Sequence, residues 1–244
     1  AYAQLLNDGQ LEKGEKINIT VPTGNFGNIL AAYYAKQIGL PVHKLICASN
    51  ENNVLTDFFA TGFYDKKRRF KVTSSPSMDI LVSSNLERLI FHLVGNDSAK
   101  TRELMTALVD KGEYQLSAVN PDILDFFEAG FATEGETSAE IKRLYDDLSY
   151  IEDPHTAVAS AVYRAYRDRT GDQTKTIIAS TASPYKFPRV AVEAVKGKDS
   201  GDDFAAVQEL HDLSGVAIPK AVKGLETAPI RHRKVVEVAA MQEA

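Results

Sequence analysis

Residues 2–12 carry a helical spacing of apolar positions that runs out near Gly14. The period then changes. Over residues 16–22 polar and apolar side chains alternate (Lys16, Ile17, Asn18, Ile19, Thr20, Val21), which predicts a strand. Residues 28–38 return to helical spacing through Ile29, Leu30, Ala31, Ala32, Tyr33, Tyr34 and Ala35, with Gly39 and Pro41 as the stop. The apolar stretch 44–49 predicts a second, buried strand. Strand, helix and strand in this order form a βαβ unit, and hence a parallel sheet with a right-handed crossover. Further on, the pattern predicts helices over 52–59, 84–94, 97–110, 121–128, 137–148 and 155–168, with a turn at 62–65. A last clear strand is expected over 175–181, then short helices over 188–196, 202–213 and 219–223, and a strand or helix over 235–241. No internal repeat or low-complexity tract interrupts the series.

Residues 21–30, VPTGNFGNIL, fall where the first strand meets the first long helix. A loop leaving a strand and opening a helix points several backbone N–H groups one way, and the helix dipole adds positive potential there. Gly24 and Gly27 allow a tight turn and a close approach to an anion. Thr23, Asn25 and Asn28 add polar groups. The spacing is GxxG, short of the three-glycine dinucleotide fingerprint, and no GK[ST] follows to make a Walker loop. From the pattern alone, a phosphate site and an ordinary strand-to-helix turn both remain open. Ligands of parallel sheets sit beyond the carboxyl ends of the strands, which is where Thr23 to Asn28 falls.

The string TGNFGN is followed by SNENNVLTDF at 49–58, SPSMDILVSSNLERL at 75–89, DPHTAV at 153–158 and STASPYKFP at 180–188. Together and in this order they resemble threonine synthase, a family of pyridoxal-phosphate enzymes. The resemblance implies an α/β fold with a parallel-sheet, three-layer domain of the pyridoxal-phosphate-dependent fold type II (tryptophan synthase β-like). It implies that residues 1–244 correspond to roughly the C-terminal half of such an enzyme, mainly its large cofactor-binding domain, truncated. The Schiff-base lysine, carried by the family in an S-x-K-D-type string, would lie in a missing N-terminal half, so no catalytic residue is expected here. The first residues, AYAQLLNDGQ, already helical and without a methionine, fit that expectation.

Matched residue by residue, the resemblance assigns the phosphate of pyridoxal 5'-phosphate to Gly24, Asn25, Phe26, Gly27 and Asn28, with the Phe26 side chain serving as packing. It assigns the ring nitrogen to Thr181, in the string Thr181-Ala182-Ser183-Pro184-Tyr185-Lys186-Phe187. A hydroxyl there bonds the nitrogen without protonating it; otherwise Thr181 is a strand-end hydroxyl that satisfies a turn. Lys186 reads as a loop or helix-start lysine rather than the Schiff-base residue. Asn85 and Arg88 are candidates for gripping the substrate's phosphate, since arginine binds phosphate well. Ser84 and Glu87 also have the spacing of a capping box, which competes with that role. Asp153 and Pro154 read as the cap and first residue of a helix, and His155 as structural. The implied activity converts O-phospho-L-homoserine and water to L-threonine and phosphate, the fragment itself being inactive. The alternative is a non-catalytic Rossmann-like nucleotide-binding module, with Glu51 near the position of a ribose-binding acid.

Composition narrows the remaining classes. At 244 residues the chain can hold one large α/β domain or two small ones. A net charge of −5 gives no reason to expect nucleic acid or anionic membrane as a partner, and the clusters Lys66–Arg69 and Arg231–Lys234 read as solvated faces. The single cysteine, Cys47, lies in an apolar run and reads as a buried strand residue, consistent with a cytoplasmic protein. Five histidines without HxH or HExxH spacing give no metal site. No stretch of about 18 apolar residues is present, so a soluble chain is expected.

Overall fold

In the computed structural model, which describes residues 1–116 and 121–243, the chain begins with α1 (Tyr2–Asn7), β1 (Ile17–Pro22), α2 (Gly27–Gln37) and β2 (Val42–Ser49). It continues with α3 (Val54–Thr61), β3 (Phe63–Asp65), α4 (Leu86–Leu93), α5 (Ser98–Asp110), β4 (Glu113–Gln115) and α6 (Pro121–Leu124). Next come β5 (Phe127–Phe131), α7 (Glu134–Leu148), α8 (Pro154–Thr170), β6 (Thr176–Ile178), α9 (Pro188–Lys196) and α10 (Asp203–Ser214). Four strands form a parallel sheet in the order β5-β2-β1-β6. The registers Thr20↔Ile46 and Thr20↔Ile178 bring the carboxyl ends of β1, β2 and β6 to one rim. The predicted βαβ unit is present as β1-α2-β2.

Helices cover both faces, giving three layers. On one face Val21, Leu45 and Cys47 pack with Ile29, Leu30, Phe58, Leu89 and Ile90 of α2, α3 and α4. On the other, Ile46 and Ala48 meet Val158, Ala159 and Val162 of α8. The polar members of the β1 alternation therefore do not face water: Asn18 and Thr20 are fully buried. Asn18 Nδ2 donates to Asp172 Oδ2 (2.8 Å), and its Oδ1 accepts from the Lys44 N–H (3.1 Å), which offsets the cost of burying the amide. Helix α8 lies close on the sheet because Gly130 leaves room for it; a Cβ there would stand 2.9 Å from Val162 Cγ1. A separate cluster joins α7, α9 and α10 through Ile141, Val192, Val195, Ala206 and Leu210.

Several expected elements differ. The helix expected over 121–128 ends at Leu124, and Phe127–Phe131 instead forms edge strand β5, pairing Leu45↔Phe127 through Ser49↔Phe131. The turn at 62–65 is strand β3, held antiparallel to β4 with Tyr64 opposite Tyr114. Residues 219–223 form turns rather than a helix, and Val238–Glu243 is a 3-10 turn. Helix α7 starts at Glu134, earlier than expected, because Thr133 and Glu136 make a reciprocal capping box. The box expected at Ser84 and Glu87 is absent: α4 is preceded by Asn85, with no side-chain cap. No described helix is long and apolar enough to cross a membrane.

Candidate functional site

Strand β1 ends at Pro22, and the chain turns at once into α2. Thr23 is buried and donates its hydroxyl to Val21 O (2.7 Å), closing the end of the strand. Phe26 follows in the left-handed region (φ 65°, ψ 10°), an uncommon place for a bulky residue. Its ring holds it there: the side chain is 1% exposed, with Phe59 and Phe127 each at a 6.0 Å centroid distance. The ring is buried while its neighbours Asn25, Gly27 and Asn28 are exposed.

Helix α2 has no side-chain cap, whereas Asp97, Thr133, Asp153 and Asp202 cap α5, α7, α8 and α10. Among the described residues, no acceptor takes the N–H groups of residues 24–29. Gly27 and Asn28 are exposed beside them. A run of free amides at a helix start, with a left-handed residue among them, forms an anion-binding concavity. That is the geometry a phosphate dianion needs, and no basic side chain is required for it.

The loop is held from outside by the segment 71–85. Ser83 Oγ donates to Gly24 O (2.8 Å), and the Asn85 N–H (3.1 Å) and Nδ2 (2.8 Å) both donate to Asn25 O. Ser84 Oγ stands 3.3 Å from Asn25 Oδ1. Asn85 Oδ1 in turn accepts from Arg88 Nη1 (2.9 Å). Both ends of the Asn85 amide are thus engaged within the protein, which explains why it does not cap its helix. Arg88 is half exposed and lines a groove of about 570 Å³ with Tyr34, His92 and Arg102.

This segment is itself anchored by Asp79, a residue that no motif in the sequence singles out. Its carboxylate accepts from Thr73 N (2.9 Å), Thr73 Oγ1 (2.7 Å), Asn50 Nδ2 (2.8 Å) and Asn52 Nδ2 (3.0 Å). The asparagines after β2 are buried and pin the segment to the rim of the sheet. The SNENN string therefore builds the wall of the site. Its amides could have pointed to a buried acceptor, but not to which one.

Thr181 follows β6, whose Ile178 pairs with Thr20 and whose following Ala179 N–H donates to Thr20 O (2.9 Å). It therefore stands on the same rim as the Gly24–Asn28 loop, exposed, with its hydroxyl bonded to no described residue. Lys186 belongs to a 3-10 turn before α9 and lays its ammonium over the Phe187 ring, 5.4 Å from the centroid. An adjoining apolar cleft of about 640 Å³ is lined by Tyr185, Phe187, Phe204 and Leu225, and by none of residues 23–28.

The DPHT string lies at the start of α8. Asp153 is fully buried and accepts from the N–H groups of His155 (2.9 Å) and Thr156, and from the Thr156 hydroxyl. Burial works to raise its carboxyl, but the hydrogen bonds from His155 and Thr156 prevail and hold it below the ordinary value. The neighbouring Glu152 is pushed up to about 8 by burial and by the charges of Glu140 and Asp153, and its Oε1 has no partner. Cys47 is fully buried, and burial raises its thiol to about 12, as befits a packing residue. Among the described residues no group of three His, Cys, Asp or Glu side chains could hold a metal ion.

The family model "Threonine synthase, C-terminal" matches residues 156–244. Threonine synthase-like 1 from Homo sapiens is 44% identical over 202 residues, 82% of this chain and 27% of that protein. Threonine synthase from Corynebacterium glutamicum is 38% identical over 206 residues, covering 80% of this chain and 42% of the relative. Among solved structures, PLP-bound threonine synthase from Brucella melitensis superimposes with a TM-score of 0.72 at 31% identity, over 88% of this chain and 50% of that one. The chain thus spans half or less of the length of these relatives. Its parallel three-layer architecture is that of the pyridoxal-phosphate-dependent fold type II enzymes.

Proposed function

We propose for this chain, which belongs to the threonine synthase family, the part of cofactor and substrate cradle in a lyase. The reaction is conversion of O-phospho-L-homoserine and water to L-threonine and phosphate. The observation that carries the reading is the row of amides from Gly24 to Ile29 that no described residue accepts from, built around the buried, left-handed Phe26 with Asn25, Gly27 and Asn28 exposed.

The residues present fit pyridoxal phosphate. The amides of Gly24, Asn25, Phe26, Gly27 and Asn28 would hold its phosphate. The unpartnered Thr181 hydroxyl on the same rim would meet the ring nitrogen. When bound, the cofactor supplies an electron sink that stabilises carbanions at the substrate's α and β carbons. A hydroxyl partner at the nitrogen leaves that sink weaker than a carboxylate would, because the nitrogen is not protonated. Arg88 would grip the substrate's phosphate with the guanidinium donors that Asn85 leaves free, and Asn85 would orient it. Residues 1–244 act as the C-terminal part of the enzyme. The Schiff-base lysine belongs to the portion of the family's proteins that these residues do not match, and Lys186, over its phenyl ring, does not substitute for it. A cytoplasmic setting suits the lone buried cysteine.

The nucleotide-binding alternative has less behind it. Glu51, its ribose acid, is paired with Lys71 at 2.9 Å, and Thr181 has no part in it. Calorimetric titration separates the readings. Pyridoxal phosphate and inorganic phosphate should bind competitively, pyridoxal without its phosphate should bind far more weakly, and NAD should not bind. Borohydride treatment should leave no pyridoxyl-lysine on this chain. Saturable NAD binding without phosphate competition would overturn the assignment.

A further inference from the structure

We propose that His155 is a positioning residue that sets the shape of the Gly24–Asn28 cup by holding the Ser77 turn against Gly24. The proposal rests on the cup being a phosphate site.

The contact between turn and cup is tight. A Cβ placed on Gly24 would lie 3.0 Å from Ser77 O and 3.1 Å from Met78 Cα, so backbone meets backbone with no slack. Any shift of the turn therefore releases or displaces the first amides of the cup. Ser77 itself is exposed, but its N–H donates to His155 Nε2 (3.2 Å), and His155 is 3% exposed. This bond fixes the imidazole: with Nε2 accepting, the ring proton sits on Nδ1 and is donated to Asp153 Oδ1 (3.0 Å). Asp153 is immobile because it also caps α8.

The opposite side of the ring packs on Phe187, at a 4.8 Å centroid distance, in the string that carries Thr181. One imidazole thus touches the turn that bears on the cup and the segment that leads from the other rim strand. The Ser77 turn is closed by its own bonds, Met78 N to Ser75 O (2.9 Å) and Asp79 N to Pro76 O (3.1 Å), and Asp79 anchors its far end. Loss of the His155 contact leaves that turn folded but free to move relative to Gly24. Packing alone does not require a hydrogen-bond acceptor at this point.

Two substitutions separate positioning from packing. His155→Gln places an amide oxygen near the Nε2 position, within reach of the Ser77 N–H. His155→Asn ends near Nδ1, so it reaches Asp153 but not Ser77. Inorganic phosphate binding to the full chain is measured by calorimetry, and exchange of the Ser77 amide by NMR without ligand. The expected result for the Asn variant is a faster-exchanging Ser77 amide and a Kd weakened about tenfold, the scale of one net hydrogen bond. The Gln variant should keep a protected amide and a Kd within about twofold of the unsubstituted chain. An exchanging Ser77 amide with unchanged phosphate affinity, in either variant, overturns the proposal, as does equal weakening in both. Should the Asn variant not fold, the Gln variant decides by the same two readings. Absence of phosphate binding by the unsubstituted chain defeats the cup itself, which is a separate and distinguishable failure.

Discussion

Replacing Phe26 tests the cup through an unusual order of stabilities. The side chain is 1% exposed between Phe59 and Phe127, so truncating it to alanine removes a fully buried ring, at a cost of about 3–5 kcal/mol. Glycine loses the same ring. In most of a protein glycine is the worse choice of the two, by about 0.5–1 kcal/mol. At φ 65° the order reverses, because an L-residue in the left-handed region carries roughly 1–2 kcal/mol of strain that glycine does not. Set against the greater freedom of glycine in the unfolded chain, this leaves Phe26→Gly about 1 kcal/mol more stable than Phe26→Ala. Urea unfolding followed by circular dichroism reads the difference as about 0.5 M in midpoint, for ordinary denaturant slopes. Both variants should also bind phosphate less tightly, since the buried ring around which the cup is built is gone. An alanine variant as stable as the glycine variant, or more so, would falsify the claim that the strand-to-helix junction imposes a left-handed backbone at residue 26.

Other perturbations probe the surroundings. Gly24→Ala drives a methyl against Ser77 O and Met78 Cα, neither of which can rotate away, and should cost about 1–3 kcal/mol in thermal unfolding along with phosphate affinity. Asp79→Ala removes the acceptor shared by the Thr73 N–H and hydroxyl and by the buried Asn50 and Asn52 amides, which keep only their bonds to Ser75, Thr73 and Lys71; a loss of roughly 1–3 kcal/mol is expected, with early proteolytic cutting in 71–85 as its local sign. Glu152 has a folded pKa of about 8, above its ordinary 4.5, so the folded protein holds a proton that the unfolded chain has released. Its contribution is fully present below 4.5 and is lost as pH rises through about 8. Glu152→Gln should remove that decline, gaining stability over the unsubstituted chain most clearly at alkaline pH; urea midpoints across the range check the sign.

What could be read from the sequence was what neighbouring residues decide among themselves. The strand–glycine–helix junction at 21–30, the cap at Asp153 and the end of α2 at Gly39 all depend on nearby backbone, and their positions are found as expected. β5 was not legible. Ile123, Leu124 and Phe127 have helical spacing, and only pairing with β2, far earlier in the chain, draws Phe127–Phe131 into the sheet. Strands β3 and β4, three residues each, are too short to display a period. The capping box at Ser84 failed because tertiary contacts claimed its residues: Ser83, Ser84 and Asn85 all bond the Gly24–Asn25 loop. For the candidate site, the loop itself was visible, and the shared rim with Thr181 followed from parallel topology. The bracing by Asp79 and His155 was not visible, since each acts through residues distant in sequence.

The strand order of the sheet bears on how the molecule is made. β1 has neighbours from distant parts of the chain: β2 follows after a single helix, whereas β6 arrives only at Thr176. On the ribosome, the nascent sheet therefore stands with one bare flank of main-chain donors and acceptors until that last strand emerges. A bare flank invites stray strands from other chains. Closure by only three residues keeps the template on offer short.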